Sequence, residues 1–335
     1  MTTTTDEVIF YDSAYMDHEG LKSSTIAVVG YGNLGSSMAL NLRDAGLDVV
    51  VGNIDDDAKS RAETDGFQVL GIEEACADAD LVYLLIPDEA IPARFDSDVA
   101  PSLRPGTAVA FGSGYCLAFG LVVVPEGIDV LMLAPRMLGE EVRSSTVDGT
   151  GFYSYCSVER DATGSAKARL LALATAAGAL RRGALVLPAA KEAMLDLMVE
   201  QTVGPYLGTA IQVAFAMGTA AGLPPEAMVL ELYASGEMSR TFAAFADKGF
   251  YRSVNGHGAV ATFGGFLRTL EMDTVAMRNH FSSVTDEIRS GSFARRLQDE
   301  QRNGYPTLRA IEAMTSGGDA MSAAEDRVRA WSEHR

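Results

Sequence analysis

The stretch IAVVGYGNLGSSMALNLRDAG, residues 26–46, decides the fold. A β-branched apolar run ends at Gly30, and Gly32 and Gly35 complete a G-x-G-x-x-G pattern that opens a helix-forming segment. A strand, a tight turn and a helix N-terminus in that order form a cradle for the pyrophosphate of a dinucleotide. The first glycine makes the turn, the second admits the phosphate to the backbone, and the third lets the helix pack on the strand. Gly30, Tyr31, Gly32, Asn33, Leu34 and Gly35 are therefore expected at the cofactor, joined from the ends of later strands by Ile86, Pro87, Gly112 and Ser113.

The next strand ends in VVVGNIDDDAKSR, residues 49–61. Asp55, Asp56 and Asp57 fall where the adenosine ribose rests; a carboxylate there accepts from the ribose hydroxyls and repels a 2′-phosphate. No arginine or lysine precedes Lys59 in this segment, so NAD is expected over NADP. The competing reading is that these aspartates only cap the following helix.

Working outward, the runs TIAVVG, DVVVG, LVYLLIP, TAVAFG and DVLMLAP alternate with helix-like segments up to about Val186. Near-continuous apolar strands separated by helices predict a parallel, doubly wound sheet covered on both faces. Beyond Pro188 the periodicity is helical almost throughout. The chain thus divides into a dinucleotide-binding α/β Rossmann domain, residues 1–187, and an all-α domain, residues 188–335. Residues 1–6 and roughly the last dozen read as loose tails. The 335 residues suffice for two cores, and a net charge of −18 disfavours nucleic acid and anionic membrane as partners. No apolar run is long enough to span a bilayer, and the start lacks signal-peptide character. Cys76, Cys116 and Cys156 form no disulfide or zinc pattern, which points to the cytoplasm.

One segment of the helical half stands out. KEAMLDLMVEQTVG, residues 191–204, places Asp196 and Glu200 one helical turn apart among Leu195, Leu197, Met198 and Val199. Like charges so placed repel, and burial without a partner would cost several kcal/mol.

Several segments together resemble the ketol-acid reductoisomerases in their short bacterial form. They are GYGNLGSSMALNLRDAGLDVVVG, ADLVYLLIPDE, PEGIDVLMLAPR, DATGSAKARLLALA, DLMVEQTVG, AGLPPEAM and IRSGSFARRLQDEQRNGYP, in the family's order. The resemblance implies a knotted helical domain, a homodimer with intertwined helical domains, and a magnesium-dependent alkyl shift coupled to hydride transfer. It assigns Asp196 and Glu200 to the first metal-binding motif, and Mg²⁺ would remove the repulsion between them.

The chain departs from the family elsewhere. Ser113, followed by Gly114 and Tyr115, stands where the family has His-Gly-Phe, and Arg136 replaces its lysine. Arginine keeps the charge but is a poor proton donor. The second metal-binding helix corresponds to PPEAMVLELYASGEMSRTF, whose candidates are Glu231 and Glu237, with Tyr233 in one alignment. Glu231 and Glu237 are six apart and share no face of a regular helix, so Gly236 is expected to mark an irregularity. Gly258 takes the place of a substrate-contacting serine, with His257 beside it.

The expected protein is an NAD- and Mg²⁺-dependent oxidoreductase with remodelled specificity, acting on a small hydroxy or keto acid. Asp196, Glu200, Glu237, Arg136, Ser113, Tyr115 and His257 are its candidate catalytic residues. It resembles members that close a cyclopropanol ring on a sulfonium dihydroxy acid. The alternatives are an authentic reductoisomerase of branched-chain amino-acid synthesis, a simple keto-acid or imine reductase, and a catalytically dead dinucleotide-binding dimer.

Overall fold

The computed structural model describes residues 8–253, 258–315 and 318–333. The chain divides into two compact units, Met1–Asp196 and Leu197–Arg335.

Among the described residues, the first unit is built on a sheet of nine strands in the order β1-β9-β8-β7-β6-β5-β2-β3-β4. The strands are β1 (Phe10–Tyr11), β2 (Thr25–Val29), β3 (Asp48–Gly52), β4 (Gln68–Leu70), β5 (Leu81–Leu84), β6 (Ala108–Phe111), β7 (Asp129–Pro135), β8 (Tyr153–Arg160) and β9 (Gly183–Val186). From β4 to β7 every pairing is parallel, as the apolar runs predict. Beyond β7 the sheet is mixed: β8 runs antiparallel to β7, β9 is parallel to β8, and β1 closes the edge antiparallel to β9.

Helices cover the sheet: α1 (Asn33–Asp44), α2 (Asp57–Thr64), α3 (Ile72–Ala77), α4 (Ile91–Arg94), α5 (Tyr115–Ala118), α6 (Gly139–Val147) and α7 (Ala166–Ala177). The central strands are buried on both faces, with Ile26, Val28, Leu81, Tyr83, Leu131 and Leu133 at the core. β2 lies between β3 and β5, so the chain order reverses there. A crevice opens outside the strand ends at such a switch point, and ligands bind in it.

α8 (Ala189–Ala220) begins in the first unit and continues into the second. The second unit is otherwise α9 (Pro225–Val229), α10 (Glu237–Lys248), α11 (Phe250–Ser253), α12 (Ala259–Glu271), α13 (Thr274–Arg289), α14 (Ser292–Arg302), α15 (Pro306–Thr315) and α16 (Ala320–Glu333). The chain's end is not a loose tail. Ala324 and Val328 of α16 pack with Phe215 and Val229 in this unit's core, and Arg327 pairs with Glu226. No helix among the described residues is long and apolar enough to cross a membrane.

Candidate active site

The glycine loop lies at the switch point. Gly30 has φ +97°, donates its N–H to the Gly52 carbonyl at 2.9 Å, and has no room for a side chain: a Cβ there would lie 2.7 Å from Ile86 Cγ2. Gly35 is tighter, since a Cβ would sit 2.1 Å from the Gly30 carbonyl oxygen, the close helix–strand approach expected of the third glycine. A Cβ on Gly32 would meet nothing within 4 Å and faces open space. Asn33 and Leu34 open α1, whose first N–H groups lack partners within the helix.

The Tyr31 side chain is buried and bonds Asp65 at 2.7 Å. Its N–H donates to Asn53 Oδ1 at 3.2 Å, and Asn53 Nδ2 donates to Asp56 Oδ1 at 2.8 Å. Asn53 thus ties the glycine loop to the turn after β3, a role that sequence reasoning missed. Together these segments line a cavity of about 560 Å³ bounded by Gly32, Asn53, Asp56, Ile86 and Pro87.

Asp56 is the N-cap of α2, accepting from the Ala58 and Lys59 N–H groups, while Asp55 pairs with Lys59 at 3.1 Å. The capping reading therefore holds for Asp56, although its Oδ2 has no part in the cap. Arg61 and Arg94 also line the cavity, which the stretch before Lys59 does not disclose.

A second cluster of the same unit forms where three parallel strands end. Asp88 follows β5, Ser113 follows β6 and Arg136 follows β7, and the first turns of α8 bring Glu192 and Asp196. The Ser113 hydroxyl donates to the Asp88 carboxylate, with Oδ1 at 2.7 Å and Oδ2 at 2.9 Å. Gly114 N–H donates to Glu192 Oε2 at 2.7 Å, and a Cβ on Gly114 would lie 2.2 Å from the Ala189 carbonyl oxygen. Only glycine lets α8 approach this loop so closely. The Arg136 guanidinium forks across two carboxylates, Glu192 at 2.9 Å and Asp196 at 2.5 Å, and lies over the Tyr155 ring.

Glu192 is 1% exposed, so its charge needs the cation beside it. Burial pushes its carboxyl above the usual range, against the pull of the Gly114 N–H and Arg136. Tyr115 is also buried; its hydroxyl has no hydrogen-bond partner among the described residues, and burial pushes it up to about 12. Asp88 and Glu192 were not among the residues expected from sequence.

In the second unit Leu230–Ala234 forms a π-helical turn, and Gly236 at φ +79° then starts α10. The irregularity expected at Gly236 is present. Glu231 and Glu237 are both exposed, and the Tyr233 hydroxyl bonds Glu325 of α16. His257 lies outside the described residues.

Residues 20–183 match the family described as acetohydroxy acid isomeroreductase, NADPH-binding domain, and residues 190–333 match ketol-acid reductoisomerase, C-terminal domain. The chain belongs to the ketol-acid reductoisomerase family. It is 37% identical to a putative ketol-acid reductoisomerase 3 of Saccharolobus solfataricus, over 87% of this chain and 88% of the relative. It is 33% identical to a ketol-acid reductoisomerase (NADP(+)) of Methanothermobacter thermautotrophicus, over 92% and 94%. A solved NADH-preferring ketol-acid reductoisomerase from an uncultured archaeon superposes with a TM-score of 0.89 at 28% identity, covering 96% of this chain and 98% of the other. The protein is accordingly an NAD(P)-dependent oxidoreductase with a Rossmann-like α/β domain and a helical C-terminal domain.

The reductoisomerase family uses magnesium. Among the described residues no group of three or more His, Cys, Asp or Glu side chains is arranged to hold a metal ion. Asp196 and Glu200 stand one turn apart on α8, and Arg136 takes one Asp196 oxygen. Magnesium commonly takes one or two protein carboxylates and keeps several waters, so a carboxylate such as Asp196 has the donor chemistry for it.

Proposed function

We propose that this protein is a reductoisomerase-type oxidoreductase that uses NADH to act on a small hydroxy or keto acid. The reading is carried by the dinucleotide cavity and the Arg136 cluster, which lie in one unit at neighbouring strand ends. The comparisons favour the family's own reaction, an alkyl shift and reduction of 2-acetolactate or a homologue, as its form. Bound there, a dinucleotide would supply hydride and a magnesium ion would polarise the oxygens of a chelating acid. Asp196 and Glu200 would hold that ion, with Glu237 and Glu231 as further candidates. Arg136 holds the Asp196 carboxylate in position and balances Glu192.

NADH is favoured by Asp56 and Asp57, which line the cavity where Asp55 does not, and by the NADH-preferring structural relative. Oxidation of NADH and NADPH with 2-acetolactate and Mg²⁺ tests both points. kcat/KM is expected to favour NADH by at least about tenfold, because a hydrogen bond to a carboxylate is worth roughly 1.5–3 kcal/mol. A clear NADPH preference would assign Arg61 or Arg94 to a 2′-phosphate instead. Absence of turnover at millimolar 2-acetolactate would remove the orthodox reaction.

The second reading is a remodelled enzyme that closes a cyclopropanol ring. It is favoured by Ser113 and Arg136 in place of the family's histidine and lysine, and by the fixed Arg136–Glu192 pair. That reaction returns its hydride, so product would form from a sulfonium dihydroxy acid with catalytic NAD and no net NADH consumption.

A homodimer is part of the proposal. The second unit exposes Val199, Val203, Val213, Met217, Phe263 and Leu270, more apolar surface than a free helical unit ordinarily leaves in water. Light scattering is expected to give twice 35.5 kDa, and a stable monomer at micromolar concentration would refute it.

A further inference from the structure

We propose that Asp88 and Ser113 form the proton-delivery pair of the reduction, Asp88 storing the proton and Ser113 passing it to the substrate's carbonyl oxygen. This rests on the reductase reading above and assigns a role to a position that the family's histidine leaves open.

Asp88 follows Pro87, a wall of the dinucleotide cavity, and Ser113 leaves the end of the adjacent parallel strand β6. Both are half-buried, which shields them in part from bulk water. The Ser113 oxygen is fixed from two sides, since it lies 2.7 and 2.9 Å from the Asp88 oxygens and accepts the Tyr115 N–H at 3.3 Å. The Asp88 backbone is fixed in turn by the Cys116 thiol, which donates to its carbonyl at 3.3 Å. A serine held this way keeps one free direction. When Asp88 is protonated it donates to Ser113 Oγ, and the serine proton turns outward.

The surroundings favour the protonated acid. Burial pushes the Asp88 carboxyl up, only partly offset by the Ser113 hydroxyl; Glu89 adds a charge of the same sign, and Asp196 does so only while it holds no cation. Glu192 lies within electrostatic reach as well, while Tyr115 and Cys116 are neutral neighbours. Arg136 is committed to Glu192 and Asp196.

The step balances. A C–H bond forms at the carbonyl carbon as the C4–H bond of the nicotinamide breaks, so the carbon is reduced and NADH is oxidised. The Ser113 proton moves to the carbonyl oxygen, the Asp88 proton moves to Ser113, and water reprotonates Asp88. Because the carboxyl must start protonated, reduction is fastest below its raised pKa and declines as pH climbs through it.

Infrared spectroscopy of the NADH complex, together with turnover on 2-acetolactate and a panel of 2-keto acids, tests the pair. The complex is expected to show a protonated-carboxyl band at pH values where ordinary aspartates are ionised. The Asp88 component, marked by its shift in Ser113→Ala, should vanish in Asp88→Asn, while a contribution from the buried Glu192 carboxyl stays. Each variant should lose about 10²–10³-fold in kcat, the size of a general-acid contribution, and Asp88→Asn should do so with NADH affinity unchanged. Ser113→Thr, which keeps the hydroxyl, should recover most of it, and Asp88→Asn should lose the alkaline fall in rate. A carboxyl band unchanged by Asp88→Asn, or a Ser113→Ala variant with full turnover, would overturn the assignment. If the wild-type protein reduces none of the acids, the reductase reading fails, and the band still decides whether Asp88 holds a proton shared with Ser113.

Discussion

Arg136→Ala is expected to destabilise the protein by about 3 kcal/mol, the lower end of the cost of breaking a buried ion pair, because Arg136 keeps a quarter of its side chain exposed. Its partner is the reason. Glu192 is 1% exposed, and without the guanidinium it retains only the Gly114 N–H at 2.7 Å. The loss should depend on pH. Burial already holds the Glu192 carboxyl above its ordinary value, so the native state binds that proton more tightly than the unfolded state. Stability therefore falls as pH rises from the ordinary glutamate value to the folded one. Removing the cation widens that window upward, and the penalty should be larger at neutral than at acid pH. Urea denaturation at the two pH values measures it, and an equal loss at both would show that the Arg136–Glu192 contact carries no charge energy. Turnover should fall by orders of magnitude as well, since Asp196 loses its anchor. Arg136→Lys should rescue only part, because an ammonium cannot fork across two carboxylates.

Gly35→Ala should weaken NADH binding by about 100-fold, equivalent to roughly 2.7 kcal/mol. The new methyl would sit 2.1 Å from the Gly30 carbonyl oxygen, which is backbone and has no rotamer to yield. The helix must move off the strand, carrying the phosphate-binding N–H groups with it. Overpacking of this kind also costs about 1–3 kcal/mol of stability. Gly32→Ala separates the two effects. Its methyl meets nothing within 4 Å, so the fold should be intact while the space left for the pyrophosphate is filled. Fluorescence titration with NADH and a thermal melt distinguish the variants. If Gly35→Ala binds NADH like the wild type, the loop is not the phosphate cradle.

Five of the nine strands are legible in the sequence because strands buried on both faces leave uninterrupted apolar runs. The others carry weaker signals. β8 contains serines, Glu159 and Arg160, β1 has two residues, and β4 is a three-residue edge strand. α16 reads as a tail because its few core residues, such as Ala324 and Val328, are small and scattered among charges. At the site the glycine loop was readable because each glycine answers a local steric demand. Asp88, Asn53 and Glu192 were not, since their partners lie far away in sequence. Glu192 in particular looks like a solvent-facing lysine neighbour until Gly114 and Arg136 are placed beside it.

The cap on α2 bears on any attempt to re-engineer the coenzyme. Asp56 already serves Asn53, Ala58 and Lys59 with one oxygen, and through Asn53 it steadies the glycine loop. Mutating it to admit a phosphorylated ribose would fray the helix and loosen the loop at once. Asp57 is the better lever: it lines the cavity in the first turn of α2 and takes no part in the Asn53–Asp56 cap. A specificity switch in this scaffold is therefore cheaper one residue downstream of the position that motif comparison would select.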